Sequence, residues 1–357
     1  MGLRERPRKL NAAQQRSILV IGGTGITGRK VERYLGQYLQ QPARIDVSSR
    51  HASKLANHRI LNPEDRAASV ATISDYDLAI ICAGPFEKLG ASIHELCVEA
   101  GTNCLDVNDS IDAARVIAEL HESAMAKNVR VITGCGLNPG ISTAMLCRWR
   151  EYNIVDVVER LRSEAGEAGA TAMHSLLLTL ANGHRYLAHG AELHSSQPDI
   201  EAGAAGYESP DIDGARRIWP GVQGFQYRVQ FAGLPENSVR TLSSRKIYKR
   251  PLVQVGLSKL LAKLARTRAS KTTVPSASVF EIVARDSGGG TYRQLLRGAG
   301  SYELTAFAAA QCAVWMLRNE RELQGGVHSI DRVEGLDDYL LTQLQQCALA
   351  TIEETRK

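Results

Sequence analysis

Ser17-Ile18-Leu19-Val20-Ile21 runs directly into Gly22-Gly23-Thr24-Gly25-Ile26-Thr27-Gly28, and the reading of this stretch decides the fold. A short apolar run without alternation is a strand covered on both faces, as strands of parallel sheets are. Behind it, Gly23, Gly25 and Gly28 satisfy the G-x-G-x-x-G spacing. Those glycines meet separate needs: a tight turn, close backbone approach to a pyrophosphate, and a helix packed closely on the strand. Ile26, Val31, Tyr34, Leu35, Tyr38 and Leu39 then recur at helical spacing. The free N–H groups and positive dipole end of that helix suit an anion. Gly23, Thr24, Gly25, Ile26, Thr27 and Gly28 are therefore the candidate dinucleotide contacts.

The alternation continues outward. Residues 43–49, 77–82, 103–107 and 129–133 read as strands, and 91–100 and 111–127 as helices. Strands alternating with helices of this length imply right-handed crossovers and a doubly wound parallel α/β sheet of Rossmann type. Ligands of such sheets lie beyond the carboxyl ends of the strands, so the first residues after each strand matter most. After the second strand, Ser48-Ser49-Arg50 stands where an enzyme reading the ribose 2′-OH places Asp or Glu. Arg50 can pair with a 2′-phosphate through its planar fork, and Ser49 leaves room and adds a donor. Asp46, the one nearby carboxylate, lies too early in the strand. NADP is the expected cofactor. Ala83-Gly84-Pro85-Phe86 follows the next long strand and is expected to let the cofactor cross the sheet edge. Asp106, one strand further on, is either a structural cap or a polar group near the nicotinamide.

Composition bounds the rest. The 357 residues are 44% hydrophobic and 23% charged, enough for two domains with cores. Nothing approaches a bilayer-spanning apolar run, and the basic, polar start lacks the apolar segment of a secretory signal. Seven cysteines, an odd number without a CxxC, read as reduced thiols and a cytoplasmic location. The nine histidines show no metal-ligand spacing, so no metal is expected. Part of the +5 net charge lies between Arg245 and Lys271. That run suits either an anionic partner or membrane surface, or simply a solvated helix face, and the solvated face is the expectation. No aromatics interleave with it, which argues against nucleic acid. A small-molecule substrate is the expected partner, with a homodimer as the assembly to test.

The chain resembles the saccharopine dehydrogenase-like reductases. The likeness rests on Ile18 through Arg29, on Ser49-Arg50 with Lys54-Leu55, and on Cys82-Ala83-Gly84-Pro85-Phe86 with Gly90. It extends to Glu99-Ala100-Gly101-Thr102 with Asp106, and to Gly134-Cys135-Gly136-Leu137-Asn138-Pro139-Gly140. Tyr302-Glu303-Leu304-Thr305-Ala306 and Gly325-Gly326-Val327 are similar too, while the middle of the chain is loose. The resemblance implies a Rossmann domain, a second α+β domain of mixed sheet, and a C-terminal helical segment returning to the first domain. It also implies biosynthetic reduction of a carbon–nitrogen double bond, or the reverse reaction, on an amino-acid-like or other small substrate.

The expected organisation is a disordered basic tail (1–16), a Rossmann domain (17–147), a substrate-binding and dimerisation domain (148–300) and returning helices (301–357). In the second domain, residues 156–162, 226–231, 239–242 and 278–284 read as strands, 168–180 as a helix and 336–352 as the last helix. Candidates for the catalytic acid are His174 and Tyr186. Cys135 could be taken for a nucleophile, but imine reduction needs none and no base partner is evident. The leading reading is an NADPH-dependent reductase of an imine or other polarised double bond. Its rivals are an enoyl or carbonyl reductase of specialised metabolism and a non-catalytic NADP-binding sensor or scaffold.

Overall fold

The computed structural model describes residues 15–163, 173–175, 177–178, 182–196, 199–201, 204–230, 250–269 and 277–357. Most of the basic tail, the expected strand at 239–242 and parts of the expected helix at 168–180 lie outside the described residues.

The apolar runs become strands β1 (Arg16–Ile21), β2 (Ala43–Ser49), β3 (His58–Ile60), β4 (Leu78–Ile81), β5 (Asn103–Asp106) and β6 (Arg130–Thr133). All four residues of β4 and the last four of β1 are buried, because helices cover both faces. The second domain contributes β7 (Ile154–Ser163), β8 (His184–Ala188), β9 (Ala191–Ser195), β10 (Ile200–Glu201), β11 (Ala204–Tyr207) and β12 (Gly224–Gln230). It continues with β13 (Ala277–Asp286) and β14 (Thr291–Ala299), and the chain closes with β15 (Gly326–Ser329) and β16 (Ala350–Arg356).

The first sheet has the order β15-β6-β5-β4-β1-β2-β3 and every pair in it is parallel. The doubly wound expectation therefore holds, with one strand added from near the C-terminus. The second sheet is mixed: β7 and β12 are parallel, and its other pairs are antiparallel. Its inner face alternates cleanly; Ser278, Phe280, Ile282 and Ala284 of β13 are all buried. A continuous core joins that face to one side of the first sheet through helices Ile141–Cys147 and Ser301–Arg318.

Helix Ser301–Arg318 lies on helix Ile26–Tyr38. Phe307 meets the Tyr34 and Tyr38 rings edge-on, each at 5.6 Å. Glu303 fastens the two helices: it pairs with Lys30, with Arg33 Nη2 at 2.5 Å, and accepts from the Tyr34 hydroxyl at 2.8 Å. Burial works to raise the Glu303 pKa, but the bonds from Lys30 and Tyr34 and the charges of Lys30 and Arg33 outweigh it and hold it below the ordinary value. A depressed folded-state pKa gives stability that is present above the unfolded value near 4.3 and lost as pH falls through the folded one. Glu303→Gln should therefore cost about 1–2 kcal/mol at pH 7. Urea titrations should show that difference shrinking below about pH 4.

Two sequence expectations change. The helix expected at 111–127 divides into Ile111–Ala118 and His121–Ala126. The second piece is redirected onto β15, where His121 Nδ1 lies 3.2 Å from the Val327 backbone nitrogen. The last helix ends at Gln346, Ala348 takes a φ of 52°, and residues 350–356 pair antiparallel with β14. Covering the open edge of β14 outweighs continuing the helix, so the final segment belongs to the second sheet rather than returning to the first domain.

Candidate functional site

Gly22 and Gly23 donate to the Ser48 carbonyl at 2.9 and 3.1 Å, tying the glycine turn to the end of β2. A Cβ on Gly23 would stand 2.6 Å from the Val47 side chain, and one on Gly28 would stand 2.5 Å from the Gly22 oxygen. Gly25 is exposed, and a Cβ there would meet only the Gly22 oxygen, at 3.2 Å. Gly23 and Gly28 thus close the turn on itself, while Gly25 keeps its outer surface open. Helix Ile26–Tyr38 starts with no side-chain cap and no acidic residue in its first turn, so its positive end is uncompensated. The cradle fits a pyrophosphate.

At the end of β2, Asp46 is only 4% exposed and accepts from Tyr76 Oη at 2.6 Å and Arg59 Nε at 3.1 Å. It cannot read a ribose hydroxyl. Arg50 is exposed just beyond the end of β2. The Ser49 hydroxyl donates to the His51 carbonyl at 2.8 Å and lies 2.8 Å from His58 Nε2. It holds the loop that carries Arg50. Ala83, Gly84 and Pro85 are partly exposed beyond β4, whereas the Phe86 ring is buried in the core on the other face of the sheet.

The structure resolves the two readings of Asp106. Its carboxylate is fully buried, 2.8 Å from His94 Nε2, and accepts from the backbone N–H groups of Asn108 and Gly134, each at 2.8 Å. It therefore fixes the loops after β5 and β6. Cys135 is also fully buried, and burial and the neighbouring Cys312 push its thiol well above the ordinary value, so it is no thiolate nucleophile. Tyr186 and His184 share one face of β8 and line a cavity of about 200 Å³ with Asp199 and Arg228. Arg185, between them, points the other way and reaches Asp112 of the first domain at 2.7 Å, so Tyr186 is turned away from that domain. His174 is brought to the crevice rim. It lies by Lys88, burial and that charge lower its pKa, and the adjacent Ser175 hydroxyl donates to Glu87 at 3.2 Å.

The crevice between the domains gathers carboxyls that sequence reasoning missed: Glu87 after β4, Asp109 after β5 and Glu208 after β11. Burial and then Glu87 push Asp109 up to about 7, with Glu208 and Asp106 adding to the rise and a backbone hydrogen bond opposing it. Burial also raises Glu208 to about 7, although Arg185 Nη1 donates to it at 3.2 Å. Burial raises Glu87, opposed by Ser175 and Lys88. In the strand register Tyr207 lies beside Tyr227, and Tyr227 beside Glu159. Burial, Glu159, Tyr207 and then Asp109 keep the Tyr227 hydroxyl protonated. Glu159 is fully buried, accepts from Asn138 Nδ2 at 2.7 Å, and is pushed well up by burial and Asp211. Asp211 accepts from Thr143 Oγ1 at 2.6 Å, and burial raises it to about 6. Asn138 therefore ties the turn before helix Ile141–Cys147 to the second sheet. Only Asp109 and Glu87 carried a local signal, as residues close behind a strand. Glu208 and Tyr227 come from the other domain, and only tertiary structure brings them in.

Comparisons with known proteins agree with this architecture. Residues 18–173 match the family described as saccharopine dehydrogenase NADP binding domain. The saccharopine dehydrogenase-like oxidoreductase of Rattus norvegicus is 28% identical over 134 residues, 37% of this chain and 30% of its own length. The match thus spans under a third of that relative. Saccharopine dehydrogenase (L-Glu forming) of Saccharomyces cerevisiae, solved without ligand, superposes with a TM-score of 0.63 at 13% identity, covering 96% of this chain and 100% of its own. A meso-dapdh mutant of Clostridium tetani E88, solved with DAP, gives 0.52 at 10% identity over 93% and 99%. At these identities the structural likeness establishes the fold. Among the described residues, no helix is long and apolar enough to cross a membrane.

Proposed function

We propose that the chain, whose residues 18–173 match the family described as saccharopine dehydrogenase NADP binding domain, is an oxidoreductase of that family and uses NADPH to reduce a carbon–nitrogen double bond formed between an amine and a carbonyl compound. The observation that carries this reading is the group of carboxyls, Glu87, Asp109 and Glu208, facing the crevice beyond the carboxyl ends of β4 and β5. Carboxylates there stabilise a protonated imine and its amine product. They disfavour the negative charge that develops on oxygen when a carbonyl or enone accepts hydride.

The residues divide the work. The turn at Gly22–Gly28 and the first turn of the following helix hold the pyrophosphate, and Arg50 holds the 2′-phosphate. Bound NADPH supplies the hydride. Asp109, half-protonated near neutrality, holds the proton that the substrate nitrogen takes up. Glu87 and Glu208 keep that proton on Asp109 by opposing its ionisation. Tyr227 stays neutral and presents a hydroxyl beside the acid. Asn138, Glu159 and Asp211 fix the relative position of the two domains beneath the crevice.

The test is transfer from NADPH deuterated at C4, incubated with paired amines and carbonyl compounds. Deuterium should appear on the carbon attached to nitrogen; deuterium on a carbinol carbon, or β to a carbonyl, would sink the imine reading. The cofactor preference has its own test. Arg50→Ala removes a charge-assisted contact worth about 1.5–3 kcal/mol, so NADPH affinity should fall roughly 10- to 150-fold while NADH affinity barely moves. Fluorescence titration of both coenzymes against both proteins measures this, and equal losses for the two coenzymes would remove Arg50 from the phosphate site.

A further inference from the structure

The loop that carries Arg50 leaves β2 at Ser49 and returns to the sheet at His58, the first residue of β3. Its returning arm is anchored. Asn57 Nδ2 donates to Glu32 Oε1 at 2.7 Å and to the Ile45 carbonyl at 3.1 Å, which ties it to helix Ile26–Tyr38 and to β2. The Asn57 carbonyl accepts from the Val47 N–H at 2.9 Å, and in the parallel register His58 stands beside Val47. His58 is therefore a half-buried post on a fixed strand. The outgoing arm is the opposite case: residues 50–56 are all exposed.

Hydrogen-bond accounting across the neck of this loop gives His58 a defined role. A serine hydroxyl has one proton to donate. Ser49 gives it to the His51 carbonyl, a group that can only accept. The Ser49 oxygen also lies 2.8 Å from His58 Nε2. With the serine proton already engaged, that nitrogen must be the donor, so His58 carries a hydrogen on Nε2. One directed chain, His58 Nε2–H to Ser49 Oγ–H to the His51 carbonyl, thus runs from the fixed strand across the neck of the loop. Each donor in such a chain strengthens the next. Arg50 stands between Ser49 and His51, the two residues that the chain fastens.

We propose that His58 is a positioning residue of the coenzyme site, and that it sets the preference for NADPH over NADH by holding the backbone beneath Arg50. The inference rests on Arg50 as the reader of the 2′-phosphate. An arginine side chain loses rotamer freedom when its fork meets a phosphate, and a loose backbone beneath it would add a further loss. A loop already fixed in the free protein removes that second loss, which is how preorganisation raises affinity. His58 does this without touching the coenzyme, because its Nε2 hydrogen is engaged by Ser49. The gain is confined to the phosphorylated coenzyme, since NADH has no 2′-phosphate for the fork to grip.

The experiment is fluorescence titration of NADPH and of NADH against the full parent chain, His58→Phe, His58→Gln, Arg50→Ala, and Arg50→Ala combined with His58→Phe. Phenylalanine keeps a ring and removes the donor, while the glutamine amide keeps an N–H near the place of Nε2. His58→Phe should weaken NADPH binding about five- to tenfold, the usual worth of one hydrogen bond, and leave NADH binding unchanged. His58→Gln should regain most of that affinity. On the Arg50→Ala background, His58→Phe should have no further effect, because no guanidinium is left to position. Parent-like NADPH affinity in His58→Phe overturns the proposal, and so does an equal loss for both coenzymes, the mark of a purely structural role. A full further loss on the Arg50→Ala background also overturns it, by putting His58 on the phosphate itself. Parent-like NADPH affinity in Arg50→Ala would overturn the assignment of Arg50 and this inference with it, whereas the same result confined to His58→Phe overturns the inference alone.

Discussion

Gly25→Val should fold as the parent does and fail to bind NADPH, whereas Gly28→Val should fail at both. The difference follows from what a side chain meets at each position. At Gly28 a Cβ would stand 2.5 Å from both the Gly22 oxygen and the Gly23 Cα, backbone atoms that hydrogen bonds to Ser48 hold in place. Nothing there can yield without opening the turn, so the cost is that of forced overpacking, roughly 3 kcal/mol. At Gly25 the one atom within reach is the Gly22 oxygen at 3.2 Å, a tight contact relieved by a few tenths of an ångström, so a branched residue costs the apo fold far less than at Gly28. That space is where a pyrophosphate must approach the uncapped start of helix Ile26–Tyr38. Filling it should raise the NADPH dissociation constant about 100-fold or more, equivalent to losing the close backbone contacts. Thermal melts give the folding half of the prediction and coenzyme titration the other. A Gly25→Val protein that melts normally and binds NADPH like the parent would remove the pyrophosphate from this turn, and the functional reading with it.

The parts of the fold legible in the sequence are those where local physics and tertiary demand coincide. Ile18 to Ile21 and Leu78 to Ile81 are apolar throughout because both of their faces are covered, and each ends in the small residues that the crevice edge needs. Strand β15 shows the opposite case. Four residues, Gly326-Val-His-Ser, carry too little pattern to announce a strand, and their partner β6 lies nearly two hundred residues earlier. Only the completed sheet edge makes them extended. The crevice divides in the same way. The glycine turn and Arg50 belong to one continuous β-α-β stretch and can be read in line. Glu159 follows a valine pair in an alternating strand, and nothing local shows that its position faces inward rather than toward water. Its burial, and the meeting of Asp109 with Glu208 and Tyr227, exist only once two domains close on each other. Asp106 left two readings open in the sequence for a related reason. An acid behind a parallel strand serves a ligand or the adjacent loops, and the choice depends on whether groups such as His94 and the Gly134 N–H reach it first.

Asp109→Asn should lower kcat/KM by about a hundredfold or more, the usual worth of a positioned acid, and abolish the alkaline limb of the pH profile. The charged groups around Asp109 are Glu87, Glu208 and Asp106, with Lys88 and Arg185 farther round the crevice opposing them at Glu87 and Glu208. Together with burial they place its titration at about 7. The parent rate should therefore be level below that pH and fall as Asp109 ionises above it, while the asparagine variant, unable to titrate, shows no such fall. A structural role for the side chain would lower the rate without removing the limb. Stability should change in the opposite sense to activity. A folded-state pKa above the unfolded value, near 3.9, means a favourable contribution that is complete below the unfolded pKa and lost as pH rises through the folded one. At pH 8 the parent thus holds an ionised carboxylate against its acidic neighbours, and asparagine relieves it. The variant should be more stable than the parent there by about 1–2 kcal/mol, after allowance for partial solvation, and indistinguishable from it near pH 4. Urea titrations at the two pH values decide the matter. A variant that loses activity yet gains no stability at pH 8 would show that Asp109 does not sit against Glu87 and Glu208 as a strained acid, and the proton would have to come from elsewhere in the crevice.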